Sequence, residues 1–215
     1  MIDETFSSSA LKIGILGTGH VAQGLGARWA AHDHQIVVGG RSLPNARSAA
    51  TDIGHGAKAG SLVDALQDAD VVLLALPWSS VHDVLEHIKA GAGALAGVTV
   101  IDPINPVAHG IGQHLLTTGS ASEDIATRAP GTHVVKAFNL HPASAWESVG
   151  PDDVVTIAGD NETSLGVVQQ LIHEMGATPH TLGGLDRARQ LEELAGTVIA
   201  LAFGGINPRF AVPQL

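Results

Sequence analysis

The feature that most constrains this chain lies near its start, where an apolar run at 11–16 (LKIGIL) leads into Gly17, Thr18 and Gly19 and then into a stretch of helical periodicity at 20–31. Gly17-x-Gly19-x-x-Ala22, entered from a strand and opening a helix, is compatible with few folds. Gly17 permits the tight turn. Gly19 leaves the backbone bare enough for a pyrophosphate to approach, and Ala22 lets helix and strand pack closely. With Thr18, His20 and Val21, the turn directs the N–H groups of the helix N-terminus at an anion. Among 26 glycines such a spacing arises easily by chance. The strand before it and the helix after it are what give the match weight.

The next strand, 35–38, bears on which dinucleotide is held. An NAD site places Asp or Glu at that strand end to accept from the ribose 2′-OH. Here the strand runs into Gly39, Gly40, Arg41 and Ser42, with no acid. A guanidinium at Arg41 pairs with a 2′-phosphate, and Ser42 adds a hydroxyl donor. The reading is therefore NADP(H).

Apolar strands and amphipathic helices continue to alternate. Strands are expected at 57–59, 70–76, 98–101, 133–138, 153–158 and 177–182. Helices are expected at 44–53, 62–67 (capped by Ser61), 79–89, 123–128 (capped by Ser120 or Ser122), 162–175 and 185–203. The pattern predicts an α/β fold: a Rossmann-type, doubly wound, mostly parallel sheet with a small C-terminal α/β lobe. The expected division is a nucleotide-binding domain at 11–135 and a lobe at 136–215 that completes the acceptor pocket. The last helix carries Leu191, Leu194, Ala195, Val198, Ile199 and Ala202 at near-helical spacing, which suits either core or a subunit interface.

Open α/β sheets bind ligands at the carboxyl edge of their strands. Leu76, Pro77 and Trp78 end one strand at that edge, with Trp78 read either as ligand contact or as core packing. Asp102, Asn105 and Pro106 end the next; Asn105 is placed to hydrogen-bond a nicotinamide ribose or to form an ordinary Asn-Pro turn. Lys136 stands inside an apolar run, where an unpaired charge is costly, so it is expected either to meet a ligand phosphate or to extend to the surface.

Composition narrows the function classes. Of 215 residues 45% are hydrophobic and 15% charged, enough apolar surface for a large core, and there is no cysteine, which excludes disulfides, thiolate metal sites and thiol nucleophiles. A formal charge of −10 argues against nucleic acid and anionic membranes as partners. Residues 1–10 do not read as a secretory leader, and no apolar run reaches the roughly 18 residues of a membrane span. A cytoplasmic protein acting on a small-molecule electron acceptor is expected. Twelve histidines raise the question of metal, but the close pairs His32/His34 and His82/His87 lack i, i+4 spacing, so no metal site is expected and most are placed at the surface.

Taken in order, IGILGTG (13–19), VVGGR (37–41), ALPW (75–78), IDPINP (101–106), VVKAFN (134–139), AGD (158–160) and ARQLE (188–192) resemble the coenzyme F420-dependent NADP oxidoreductases over most of the chain. The resemblance implies a Rossmann domain with a small C-terminal lobe, a homodimer, and direct hydride transfer between NADPH and coenzyme F420, a deazaflavin co-substrate. The two rings would stack, with no side chain required as acid or base. It implies cofactor contacts at Thr18, Gly19, His20, Val21, Gly40, Arg41, Ser42, Leu76, Pro77, Trp78, Asn105 and Pro106. It also implies an acceptor pocket at Lys136, Ala137, Phe138, Asn139, Leu140, His141 and Pro142. Arg187, Arg189 and Arg209 are candidates for an anionic acceptor tail. Two other readings stay open: an NADPH-dependent reductase of a ferric chelate, quinone or small carbonyl, with His141 or Lys136 as proton donor, and a non-catalytic NADP sensor.

Overall fold

The computed structural model describes residues 9–208. Strand β4 (Val71–Leu74) shows how the core is divided. All four of its residues are buried, and they alternate between two apolar clusters: Val71 and Leu73 face one, Val72 and Leu74 the other. A strand covered on both faces is a continuous apolar run, and helices supply the covers. Helices α1 (His20–Ala30), α2 (Leu43–Ile53) and α5 (Glu162–Glu174) close the first face; α3 (Trp78–His87) and α4 (Ala121–Arg128) close the second.

The remaining strands are β1 (Lys12–Leu16), β2 (Gln35–Gly39), β3 (Lys58–Gly60), β5 (Thr99–Asp102), β6 (His133–Lys136), β7 (Val154–Gly159) and β8 (Thr178–Gly183). They form one eight-stranded sheet in the order β3-β2-β1-β4-β5-β6-β7-β8. Every pairing is parallel except β6 with β7. The chain winds outward in one direction through β1, β2 and β3, then returns to place β4 on the other side of β1. The crossing point, where such sheets bind nucleotides, is therefore at the carboxyl ends of β1 and β4. No helix among the described residues is long and apolar enough to cross a membrane.

Several element boundaries differ from expectation for identifiable reasons. Residues 62–67 hold only a single 3₁₀ turn, Asp64–Leu66. Its N-cap is Val63, without a side-chain cap bond; Ser61, two residues earlier, accepts at Oγ from Asp64 N while its own N–H donates to the Asp64 carboxylate, and the hydrogen bonds from the Ser61 backbone and then its side chain hold the exposed Asp64 carboxyl below its usual range. Strand β6 stops at Lys136 because Phe138 takes φ +64° and turns the chain. The expected last helix divides into a 3₁₀ turn, Leu185–Arg187, and α6 (Ala188–Phe203); Asp160 Oδ1 accepts from Leu185 N at the start of that turn.

The cap of α4 is Ser120, whose Oγ accepts from Glu123 N at 3.1 Å while donating to Glu123 Oε2 at 2.8 Å. Ser122 instead donates to Asp102. Ser120→Ala is expected to lower unfolding free energy by about 1 kcal/mol, the usual value of a serine cap, as read by urea denaturation.

Candidate functional site

Gly17 joins three strand ends. Its N–H donates to Gly39 O at 2.9 Å, its φ is +126°, and a Cβ there would lie 2.0 Å from Ala75 O. The ends of β1, β2 and β4 can come together only around a residue without a side chain. Gly19, two residues on, is open: nothing lies within 4 Å of the position a Cβ would take. It is the N-cap of α1, with no side-chain cap bond and no acid in the first turn. Helices α2, α4 and α5 are capped by Ser42, Ser120 and Asn161. The first-turn N–H groups of α1 thus lack a side-chain partner and carry the positive end of the helix dipole into an open cradle. Ala22 is wholly buried beneath, and Gly19 and His20 are exposed.

Beside this cradle is a cleft of about 200 Å³, lined by Gly17, Thr18, Gly19, Gly40, Arg41, Leu62, Ala75, Leu76, Pro77 and Val84. The sequence-predicted turn, the β2 end and the β4 end thus meet in one place. Arg41 is exposed, and its side chain makes no hydrogen bond or ion pair among the described residues. Ser42 Oγ accepts from Asn45 N at 3.4 Å, which leaves its hydrogen free to donate. Gly40 faces Thr18, and a Cβ would approach its Cγ2 to 3.0 Å. Pro77 is the N-cap of α3, also without a side-chain cap. Trp78 packs on the second apolar cluster and meets the His82 ring edge-on at 5.2 Å, so packing accounts for at least part of its surface. Larger clefts, of about 640 and 660 Å³, lie at the opposite edge of β1–β3 and along the outer side of α1, the second beginning at His20.

At the β5–β6 edge, Asn105 and Asn139 form a reciprocal pair. Asn105 Nδ2 donates to Asn139 O at 2.8 Å, and Asn139 Nδ2 donates to Asn105 Oδ1 at 2.9 Å and to Leu191 O at 3.1 Å. Each Asn105 group keeps capacity for one further bond. Pro106 is buried behind it. Asn139 Oδ1 and His141 Nδ1 are buried without partners. Burial pushes the His141 imidazole below its usual 6.5, with Asp153 acting weakly in the opposite direction. A neutral imidazole in the folded state means the unfolded chain binds more protons below that value. Stability should therefore fall as pH drops through 6.5, and His141→Leu should flatten that part of a urea-unfolding profile.

At this edge the structure places three of the expected residues in the interior. Lys136 does not extend to the surface. It is fully buried, and its three ammonium hydrogens are taken by Asp102 at 3.0 Å, Glu192 at 2.6 Å and the Ile104 carbonyl. Ala137 is wholly buried in the first core cluster and offers no surface. Phe138 is also core, edge-on to Trp29 at 5.8 Å and to Trp146 at 5.3 Å. Arg187 is held by Gln190, Arg189 by Glu193 and two backbone carbonyls, and Arg209 lies outside the described residues.

Asp102 and Glu192 were not foreseen as Lys136's partners; a lysine in an apolar run signals only that partners must exist. Eight of the twelve histidines are exposed, as expected; His34 and His114 are instead buried or nearly so and bonded to Glu174 and Glu192. Among the described residues no three metal-ligating side chains gather.

A doubly wound sheet with a bare glycine turn at its crossing point defines a dinucleotide-binding α/β protein. The model of the family described as NADP oxidoreductase, coenzyme F420-dependent, matches residues 12–106. The F420-dependent NADP reductase of Methanothermobacter marburgensis is 30% identical over 209 residues, covering 89% of this chain and 92% of its own. A crystal structure from Arthrobacter sp. FB24, provisionally assigned as an F420-dependent NADP reductase, superposes with a TM-score of 0.80 at 25% identity, covering 92% of this chain and 96% of that one. Metalloreductase STEAP3 of Rattus norvegicus is 31% identical over 189 residues, 86% of this chain; the chain spans only 36% of that longer relative. The chain belongs to the coenzyme F420-dependent NADP oxidoreductase family, and so to the NADP-dependent oxidoreductases.

Proposed function

We propose that this protein holds NADP(H) at the β1–α1 turn and transfers hydride between it and coenzyme F420 or a related flavin-like acceptor. The observation that carries the nucleotide assignment is Arg41: an exposed guanidinium just past the end of β2, unpaired among the described residues, next to uncapped helix N–H groups, with no carboxylate at that strand end. The turn residues 17–21 would hold the pyrophosphate, Arg41 and Ser42 the 2′-phosphate, and the Asn105–Asn139 pair the nicotinamide end. NADPH supplies a hydride when bound. The contribution of the chain is to orient two rings and exclude water from between them.

The acceptor rests on the family and on the relatives' names. The likeness to a metalloreductase favours one second reading, reduction of a ferric chelate, for which the same nucleotide site would serve. Mixing the protein with NADPH and oxidised F420 separates the two. Loss of the deazaflavin absorbance supports F420, whereas NADPH oxidation only with ferric chelate transfers the assignment. A homodimer in the cytoplasm is part of the same reading, with Leu194 and Phe203 of α6 exposed for an interface.

Arg41→Ala tests the nucleotide half by itself. A hydrogen-bonded charge pair contributes about 1.5–3 kcal/mol, so NADPH affinity should drop roughly 10- to 150-fold by calorimetry while NADH affinity stays unchanged. An equal loss for both nucleotides would remove the 2′-phosphate assignment.

A further inference from the structure

The cleft of about 660 Å³ along α1 shares no lining residue with the cleft at the nucleotide junction. It runs between α1 and the 3₁₀ turn Ala143–Glu147, which packs on that helix, and its volume suits a small organic molecule. Gly24 and Arg28 face it from α1, one helical turn apart on the same side of the helix, and Trp146 faces it from the turn.

Arg28 is half-buried and donates through Nη2 to the Met175 carbonyl, which fixes the guanidinium in place. Among the described residues no carboxylate pairs with it, although the chain carries 21 acids against 11 Lys and Arg. Its Nε–H is shut off from solvent and has no hydrogen-bond partner. Trp146 repeats the pattern. It is wholly buried, and its indole edge rests on Gly24, where a Cβ would lie 3.4 Å from Cδ1. Nε1, bonded to that carbon, is likewise buried without a partner. Folded chains normally satisfy buried donors, because water no longer can. Two unmet donors and a cation without an acid, gathered at one cleft, are the complement of an oxyanion.

The remaining charges narrow the choice. Asp52 stands on the rim, accepting from Gln23 Nε2 at 3.1 Å, and His20 stands at the mouth. Arg28 is the one guanidinium or ammonium in the lining, so a second negative charge on the ligand would meet Asp52 with no cation to offset it. Gly24, Ala27, Ala143 and the indole offer apolar surface to the rest of the molecule.

We propose that this cleft is a second small-molecule site, separate from the nucleotide junction, and that it takes a monoanionic carboxylate carried on a flat apolar body. The carboxylate lies against Arg28 and the Trp146 N–H, and the body lies along Gly24 and Ala27.

Phenylacetate is the probe, and phenylacetamide, of the same shape without the charge, is its control. Both are titrated into the full chain carrying Arg41→Ala, which removes the guanidinium of the nucleotide junction as a competing site, and into the wild type saturated with NADPH. The readout is the indole N–H signal of Trp146 in nitrogen-correlated NMR, identified among three tryptophans as the one lost in Trp146→Phe. Phenylacetate should move that signal saturably in both proteins, as the N–H gains an acceptor, and phenylacetamide should bind about tenfold more weakly. Arg28→Gln, and Trp146→Phe followed by the α1 amides, should each weaken phenylacetate about tenfold through loss of a charge-assisted hydrogen bond, with NADPH affinity unchanged. Arg28→Lys keeps the charge and a donor for Met175 but has no Nε–H; it should bind with intermediate affinity, and it carries the comparison if Arg28→Gln does not fold. An indole signal that stays in place, equal affinity for the two probes, or full affinity in the Arg28 variants would overturn the inference. So would binding that NADPH abolishes, because the probe would then occupy the nucleotide junction. If NADPH itself does not bind, the nucleotide reading fails, and the Arg41→Ala titration still decides this one.

Discussion

Gly17→Ala is expected to abolish the native junction of β1, β2 and β4, whereas Gly19→Ala should leave the fold intact and remove the nucleotide. A methyl group on Gly17 would lie 2.0 Å from the Ala75 carbonyl oxygen, well inside contact distance, and the backbone there has φ +126°. Neither partner can yield cheaply. Ala75 follows a strand packed on both faces, and Gly17 N is tied to Gly39 O. Backbone incompatibility and overpacking each cost about 1–3 kcal/mol, so together they remove a large part of the stability of an ordinary domain. A methyl on Gly19 meets nothing within 4 Å, at φ −85°. Its urea midpoint should stay near wild type, but the methyl would occupy the space reserved for phosphate oxygens, and NADPH affinity should fall by about 100-fold. Urea unfolding and calorimetry on the two variants check both halves. A stable Gly17→Ala protein, or a Gly19→Ala protein with normal NADPH affinity, would contradict this view of the turn.

The second large effect is expected at Lys136. Lys136→Met keeps the length and apolar stem of the side chain but leaves Asp102 and Glu192, both with 0% side-chain exposure, without their shared cation. Removing one member of a buried ion pair costs about 3–5 kcal/mol, because the surviving charge stays desolvated and uncompensated. The loss should appear as a lower urea midpoint with an unchanged slope. Adding Asp102→Asn and Glu192→Gln removes both stranded charges, and the triple variant should regain most of the lost stability. If Lys136→Met alone is within about 1 kcal/mol of wild type, the three side chains do not form the buried cluster described.

These two sites also mark where sequence reading succeeded and where it stopped. The β1–α1 turn was legible because all of its information is local. Strand, glycine spacing and helix follow one another without a gap, and each glycine answers a steric demand that can be named in advance. The place of Arg41 beside that turn was legible for a related reason: in this topology the end of β2 lies next to the β1–α1 turn. The Lys136 cluster was not. An isolated lysine in an apolar run states a need for partners, but those partners are 34 residues earlier at Asp102 and on the last helix at Glu192, which itself bonds His114, 78 residues before it. The closing of α6 over the sheet brings them together, and no spacing rule reports that. The turn at Phe138 was hidden likewise, since the apolar pattern of 133–138 continues past the point where φ +64° ends the strand. Ser120 and Ser122 could not be ranked as caps from sequence, because the choice depends on Asp102 attracting Ser122 from another strand.

The central claim is that an uncapped helix start and a free guanidinium on the adjoining strand end together recognise NADPH. A crystal structure of the complex tests it most directly. The account predicts pyrophosphate oxygens within hydrogen-bonding distance of the backbone N–H groups at residues 19–21 and the 2′-phosphate against Arg41. A nucleotide bound elsewhere, or bound at the turn with its 2′-phosphate directed away from Arg41, would contradict it.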